Sequence, residues 1–148
     1  MKLTVLVDND TLVDRYFYGE PGVSYFIEDE DKKFLFDVGY SDLFIKIAQK
    51  VDIDSLNLDF LALSRRHMDH TWGLDPLSRL YTEAKIESIT YKSPTVIAHP
   101  LLFASREILK HMRKLHPYEV HTCHCTHLDS KNSFIQRYKS QRYRCWVK

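Results

Sequence analysis

The chain contains 148 residues, of which 44% are hydrophobic and 28% are charged. These values are ordinary for one globular domain and exclude a disordered, collagen-like or coiled-coil chain. No apolar run approaches the roughly 20 residues that cross a bilayer, and Asp8 comes too early for a secretory signal peptide. We therefore expect a cytoplasmic protein with reduced cysteines and no membrane contact.

The net charge of +1 conceals two regions of opposite charge. Residues 1–100 contain 11 basic and 17 acidic residues, whereas residues 101–148 contain 10 basic and 3 acidic residues. All three cysteines and five of the eight histidines also lie beyond residue 100. This shift in composition predicts an ordered region over residues 1–115 and a basic, Cys/His-rich tail without regular structure over residues 116–148.

The first hundred residues show the punctuation of an α/β fold. The β-branched, apolar run at residues 3–7 predicts a strand that ends at a turn cluster. Two further apolar runs, at residues 23–27 and 33–36, flank a polar segment and predict a β-hairpin. The apolar spacing that follows Asp42 predicts a helix that continues to Val51, with Asp42 as its N-cap.

Strands and helices are also predicted to alternate in the next part of the chain. The mostly apolar run at residues 58–63 predicts a strand covered on both faces. Asp75 followed by Pro76 is typical of an N-cap and the first position of a helix. Residues 94–98 predict another strand, and the apolar spacing over residues 101–115 predicts a last amphipathic helix.

One segment carries candidate chemistry. Residues 61–74, Leu-Ala-Leu-Ser-Arg-Arg-His-Met-Asp-His-Thr-Trp-Gly-Leu, place His67, Asp69 and His70 in the loop after a buried strand. Imidazole and carboxylate groups are ligands that zinc and similar divalent metals accept. Loops at the carboxyl ends of strands carry the sites of many α/β folds. The three residues are therefore candidate metal ligands, and a polar surface loop is the alternative interpretation.

This run resembles the H-x-H-x-D-H signature of the metallo-β-lactamase superfamily. Residues 34–39, Phe-Leu-Phe-Asp-Val-Gly, resemble that family's first motif, a strand ending in Asp and Gly, and the elements follow the family's order over residues 1–110. The Val-Asp-Asn at residues 7–9 and the strand at residues 22–28 are most similar to the branch of dihydropterin–ribofuranosylaminobenzene phosphate synthase. The resemblance implies that residues 1–115 form the first half of an αβ/βα sandwich, a mixed sheet with helices on its outer face.

The resemblance also implies roles for individual residues. His67 would be a ligand of a first metal, and Asp69 and His70 would be ligands of a second. Asp69 is also the implied catalytic residue, which handles the proton of the attacking water. Asp37 is implied as a buried carboxylate that steadies the metal loop. The implied reaction is attack of metal-activated water on an ester, thioester, lactam or phosphoester of unspecified identity.

The sequence departs from the family pattern in two respects. Arg65 stands where the family has the first histidine of its signature, and an arginine keeps its positive charge and has no lone pair to donate. The family's later ligands come from a second half that nothing after residue 100 resembles. We therefore expect a truncated homologue with impaired hydrolysis, which binds one zinc or other divalent metal at most. We also expect self-association through an apolar sheet face that is left uncovered.

The tail contains a second group of potential metal ligands, with the alternating pattern His121, Cys123, His124, Cys125 and His127. This spacing matches no zinc-finger pattern. Three interpretations remain open for the tail. It is a segment without selected function, such as an out-of-frame translation product, or an ad hoc metal site, or a basic arm that binds nucleic acid.

A non-catalytic function is the alternative to a hydrolase. In this interpretation the chain is a remnant or an interaction module that binds an anionic partner or nucleic acid. The guanidinium groups of Arg65 and Arg66 would contact the anion together with the basic residues of the tail. The tail residues that carry this interpretation are Lys131, Arg137, Lys139, Arg142 and Arg144, with Tyr138, Tyr143 and Trp146 between them.

Overall fold

The computed structural model describes residues 1–10 and 18–122. In this part of the chain, six strands form a single sheet, and four α-helices and one 3₁₀ helix (Pro100–Ala104) connect them. The strands are β1 (Lys2–Val7), β2 (Ser24–Asp29), β3 (Lys32–Phe36), β4 (Phe60–Leu63), β5 (Thr95–Ala98) and β6 (Glu119–Thr122). The α-helices are α1 (Leu43–Lys50), α2 (Met68–Thr71), α3 (Leu74–Ile86) and α4 (Arg106–Lys114).

The sheet is mixed, and its strands lie in the order of the chain. The first three strands are antiparallel neighbours, because the predicted hairpin joins β2 to β3 and β1 pairs with β2. From β3 to β6 all neighbours are parallel, because a helical segment returns the chain to the same end of the sheet before each new strand. This architecture confirms the predicted α/β class and the mixed sheet.

One face of the sheet carries the hydrophobic core. Alternate strand residues form a buried row that runs from strand to strand in register, namely Phe26, Leu35, Leu61, Val96 and Val120. The helices cover this row with their own apolar stripes, which include Phe44, Ile47, Leu77, Tyr81, Leu109 and Met112. Burying a large apolar side chain of this kind contributes about 1.5–3 kcal/mol. The helices therefore lie on one face, as the family resemblance implies.

The fourth strand differs from its prediction. Leu61 and Leu63 are buried, but Phe60 and Ala62 on the opposite face are only half-buried. The expectation of a strand covered on both faces is therefore wrong. Within the described residues, the helices cover one face of the sheet and leave the other accessible.

The starts of two helices also differ from the sequence interpretation. Helix α3 begins at Leu74 rather than at Pro76, because Gly73 already has helical backbone angles. Asp75 therefore lies inside the first turn, where its carboxylate pairs with the guanidinium of Arg79. Leu101 lies in the exposed 3₁₀ helix and not in α4.

The expectation of an irregular tail from residue 116 is wrong for residues 119–122, which form β6. Val120 and Thr122 are buried on the helical face of the sheet, and parallel pairing with β5 stabilises this short strand. Two buried positions are too few for a sequence pattern to reveal. The remaining tail, with Cys123, Cys125 and the basic and aromatic residues named above, lies outside the described residues.

No helix in the described ranges is both long enough and apolar enough to span a membrane.

Candidate metal centre

The candidate residues lie at the carboxyl ends of two parallel strands. Strand β3 ends one residue before Asp37, and β4 ends one residue before Ser64. The N–H of Asp37 donates to the carbonyl oxygen of Ala62 at 2.8 Å, which holds the two strand ends side by side. The sequence therefore places the first-motif Asp beside the loop that carries His67, Asp69 and His70.

The carboxylate of Asp37 is completely buried and accepts three hydrogen bonds. Oδ1 accepts from the N–H of Ser64 at 2.8 Å, and Oδ2 accepts from the hydroxyl of Ser64 at 2.6 Å. Oδ2 also lies 2.7 Å from Nδ1 of the buried His70. Because a carboxylate only accepts hydrogen bonds, His70 carries its ring proton on Nδ1. Asp37 thus holds both ends of the loop segment between Ser64 and His70.

The other ring nitrogen of His70 faces Asp69. Nε2 of His70 lies 3.2 Å from Oδ2 of Asp69, whose side chain is 39% exposed. With the proton on Nδ1, Nε2 presents a lone pair to a carboxylate oxygen, and two acceptors at this distance require a proton or a cation between them. The carboxylate–imidazole arrangement of Asp37 and His70 is the one that orients metal-binding histidines in proteins. Nε2 of His70 and Oδ2 of Asp69 are therefore a convergent pair of potential donors.

His67 does not join this pair. It is exposed and takes the N-cap position of α2 with an extended backbone, and its carbonyl oxygen accepts from the hydroxyl of Thr71 at 2.9 Å. Over residues 1–10 and 18–122, no three His, Cys, Asp or Glu side chains converge in a way that could hold a metal ion. A zinc site takes three or four donors from the protein. The structure therefore brings together Asp37, Asp69 and His70, but the donors present do not complete a zinc site.

Two glycines let the backbone approach the loop closely. A Cβ atom on Gly22 would lie 2.2 Å from the carbonyl oxygen of Asp69, and one on Gly73 would lie 1.9 Å from the carbonyl oxygen of Val38. The N–H of Val38 in turn donates to the carbonyl oxygen of His70 at 3.2 Å. The loop is therefore held by backbone contacts on both sides, and a side chain at either glycine would displace it.

Two polar residues that the sequence analysis missed organise the neighbouring segments. One carboxylate oxygen of Glu20 accepts from the N–H groups of Tyr40 and Ser41, each at 2.9 Å. The amide oxygen of Asn9 accepts from the N–H of Gly22 at 2.9 Å. The partners of Glu20 lie 20 and 21 residues away in the chain, so no local pattern indicates these contacts.

The largest cleft in the described structure lies beside this centre and not at it. It has a volume of about 1230 Å³, extends between α1, α3 and α4, and is lined in part by Arg66, Met68 and Trp72. Trp72 is half exposed and packs on Tyr40 with ring centroids 4.8 Å apart. His67, Asp69 and His70 do not line this cleft. The loop therefore presents the candidate donors and the exposed aromatic pair to different surroundings.

The strand order, the helices on one face and the first-motif Asp beside the histidine loop define a class of protein. The family model described as the metallo-beta-lactamase superfamily matches residues 17–107, which is more than half of the chain. The chain therefore belongs to the metallo-beta-lactamase superfamily, whose members usually bind a divalent metal, typically zinc.

A particular solved structure shares this fold. The crystal structure of human tRNase Z, short form, is similar with a TM-score of 0.56 and 16% sequence identity. The match covers 99% of this chain and 51% of that chain, so this chain spans about half the length of the solved one. At this identity the likeness shows a shared fold, that of metal-dependent hydrolases. Comparison with curated proteins gave no match.

Proposed function

We propose that the chain is a homologue of metal-dependent hydrolases in which hydrolysis is impaired. The observation that carries this proposal is the donor set, in which Asp69 and His70 converge and His67 stays outside. The position of the first signature histidine holds Arg65, whose guanidinium repels a cation and offers no lone pair. Two protein donors bind a metal weakly, so the chain holds one divalent ion at most.

The residues that remain still divide the work of a hydrolytic site. Asp37 fixes the ring of His70 and its tautomer, so it is a positioning residue. Asp69 has an accessible carboxylate that accepts a proton from an attacking water, which is the role implied by the superfamily resemblance. A divalent metal supplies acidity, because it lowers the pKa of bound water to about 7. The substrate class proposed is an ester, lactam or phosphoester.

Within the superfamily, we place the chain nearest to the branch of dihydropterin–ribofuranosylaminobenzene phosphate synthase. Two segments carry that resemblance, residues 7–9 and residues 22–28. The structure joins these segments, since the N–H of Gly22 donates to Oδ1 of Asn9, and since β1 pairs with β2. The contact supports the placement because the two similar segments form one structural unit.

Calorimetric titration of the full chain with zinc chloride tests the proposed impairment. We expect a dissociation constant weaker than about 10 μM, a further loss of affinity in Asp69→Ala and His70→Ala, and background hydrolysis of bis(p-nitrophenyl) phosphate. Asp75→Ala is the matched control, because its carboxylate is 41% exposed and also lies in the first turn of a helix. Submicromolar zinc binding with turnover that Asp69→Ala abolishes would contradict the proposal.

The second candidate function is binding of an anionic partner through Arg65 and Arg66. Both side chains are exposed, and neither makes an ion pair with a residue that the structure describes. Fluorescence anisotropy with a labelled single-stranded RNA, between 50 and 200 mM salt, tests this function at ~10³-fold sensitivity to salt. A loss of affinity in Arg65→Ala and Arg66→Ala supports it, with Arg79→Ala as the control because Arg79 already pairs with Asp75. Equal affinity in all three variants would exclude it.

A further inference from the structure

The sheet has a second face, on the side away from the helices. Two rows of side chains cross this face in register, with one residue from each of the first five strands in each row. We call these ten residues the open face, namely Val5, Tyr25, Phe36, Ala62 and Ile97 in one row and Leu3, Ile27, Phe34, Phe60 and Thr95 in the other. None of the ten is buried and none is charged.

The open face is ordered and apolar at its centre. The rings of Phe34 and Phe60 stack with centroids 4.5 Å apart and planes inclined by 12°. The outer positions are the most accessible, with Leu3 54% exposed and Ile97 40% exposed. Contiguous apolar surface of this extent on a monomer marks an interaction site. The arrangement therefore predicts a partner surface that is itself apolar.

Charged groups lie only at the borders of the open face. At the β6 edge, Glu119 and His121 pair with each other at 3.1 Å. At the hairpin end, Lys32 pairs with Asp31 at 3.1 Å and the terminal amine of Met1 pairs with Asp29 at 3.4 Å. These groups satisfy one another and leave no net charge for a polar partner to match. The uncharged interior therefore fits an equally uncharged surface and not a nucleic acid or an acidic peptide.

We propose that the open face binds the same face of a second copy of this chain. A two-fold axis between two identical faces brings apolar rows against apolar rows, so the surface is complementary to itself. The similar solved chain is about twice as long as this one, so two copies together supply a comparable amount of structure. The proposal goes beyond the proposed hydrolytic site, because no residue of the open face belongs to that site.

The size of the open face sets the strength of the dimer. Strands about 4.8 Å apart and side-chain rows about 7 Å apart give a face of roughly 25 by 15 Å. Two such faces bury roughly 800 Å² in projection, below the ~1,200–2,000 Å² of stable specific interfaces. The dimer is therefore reversible, with a dissociation constant of about 1–100 μM.

Sedimentation equilibrium of the full chain from about 1 to 200 μM tests the proposal. Ile97→Lys places a charge in the open face and is expected to weaken dimerisation at least tenfold. Ile86→Lys is the matched control, because Ile86 is 77% exposed at the end of α3 and away from this face. Leu3→Lys, on the opposite edge of the face, is a second variant in case Ile97→Lys unfolds. Circular dichroism of each variant confirms that it is folded.

The outcomes separate the possible occupants. A monomer–dimer equilibrium that Ile97→Lys or Leu3→Lys weakens, and that Ile86→Lys leaves unchanged, supports the proposal. A chain that stays monomeric at 200 μM overturns it and assigns the open face to another occupant, such as a complementary half-domain. A dimer that none of the three substitutions changes also overturns it, because the interface then lies elsewhere.

Discussion

The carboxylate of Asp37 lies 2.7 Å from Nδ1 of His70, although 33 residues separate them in the chain. This contact links the end of β3 to the loop after β4 and leaves Nε2 of His70 facing Asp69. The direction of the imidazole ring is therefore set from the buried side of the loop. Any cation or proton that the centre holds depends on this orientation.

Asp37→Ala is expected to lower the free energy of unfolding by about 3 kcal/mol or more, because the substitution leaves the donors of Ser64 and His70 without their buried acceptor. Urea denaturation followed by circular dichroism measures the change. Asp69→Ala is the comparison, since its carboxylate is 39% exposed and its loss is expected to change stability by less than about 0.5 kcal/mol. Equal effects of the two substitutions would show that Asp37 does not hold the loop.

Gly73→Ala is expected to destabilise the protein by about 3 kcal/mol or more, or to prevent folding. The backbone angles of Gly73 are helical, so an alanine is not strained there, and the cost comes only from the 1.9 Å approach of its Cβ to the carbonyl oxygen of Val38. Gly19→Ala, at an exposed position, is the control. A Gly73→Ala protein with wild-type thermal stability would mean that the loop lies further from Val38 than described.

Asp59→Asn is expected to lower stability by about 1 kcal/mol at neutral pH. Burial raises the pKa of Asp59, but the hydrogen bonds from Nζ of Lys92 at 2.6 Å and from the N–H of Lys33 at 2.9 Å outweigh it, so the pKa lies below its usual range. A lowered carboxylate pKa stabilises the folded state above the unfolded-state value of about 3.9. This contribution is lost as the pH falls through the folded-state pKa.

Urea denaturation at several pH values checks this sign. The difference between wild type and Asp59→Asn should be largest near pH 7 and should disappear well below pH ~3.9. A difference that stays constant down to acid pH would indicate that Asp59 acts through packing and not through its charge.

Much of the fold could be predicted from the sequence because its signals are local. Alternation of apolar residues gave the hairpin, and 3.6-residue spacing gave α1 and α4. The contact of Asp37 with the histidine loop followed from the family resemblance, since the first motif ends at the sheet edge where that loop begins.

The orientation of side chains in the loop could not be predicted in the same way. His67, Asp69 and His70 are close in sequence, yet only the last two converge, because Asp37 and the backbone near Gly22 fix one side of the loop. The role of Glu20 was missed for the same reason, since its partners are 20 residues away. Strand β6 was missed because pairing with β5, and not its own short pattern, holds it in the sheet.

The zinc affinity of Arg65→His, measured beside that of Arg66→His, tests most directly whether the missing histidine limits metal binding. The account predicts that Arg65→His raises the affinity at least tenfold, or about 1.4 kcal/mol, because it removes a cation and adds a donor next to the His70 and Asp69 pair. Arg66→His adds the same imidazole one position further along and is expected to leave the affinity unchanged. No gain from Arg65→His, or an equal gain from both substitutions, would contradict the account.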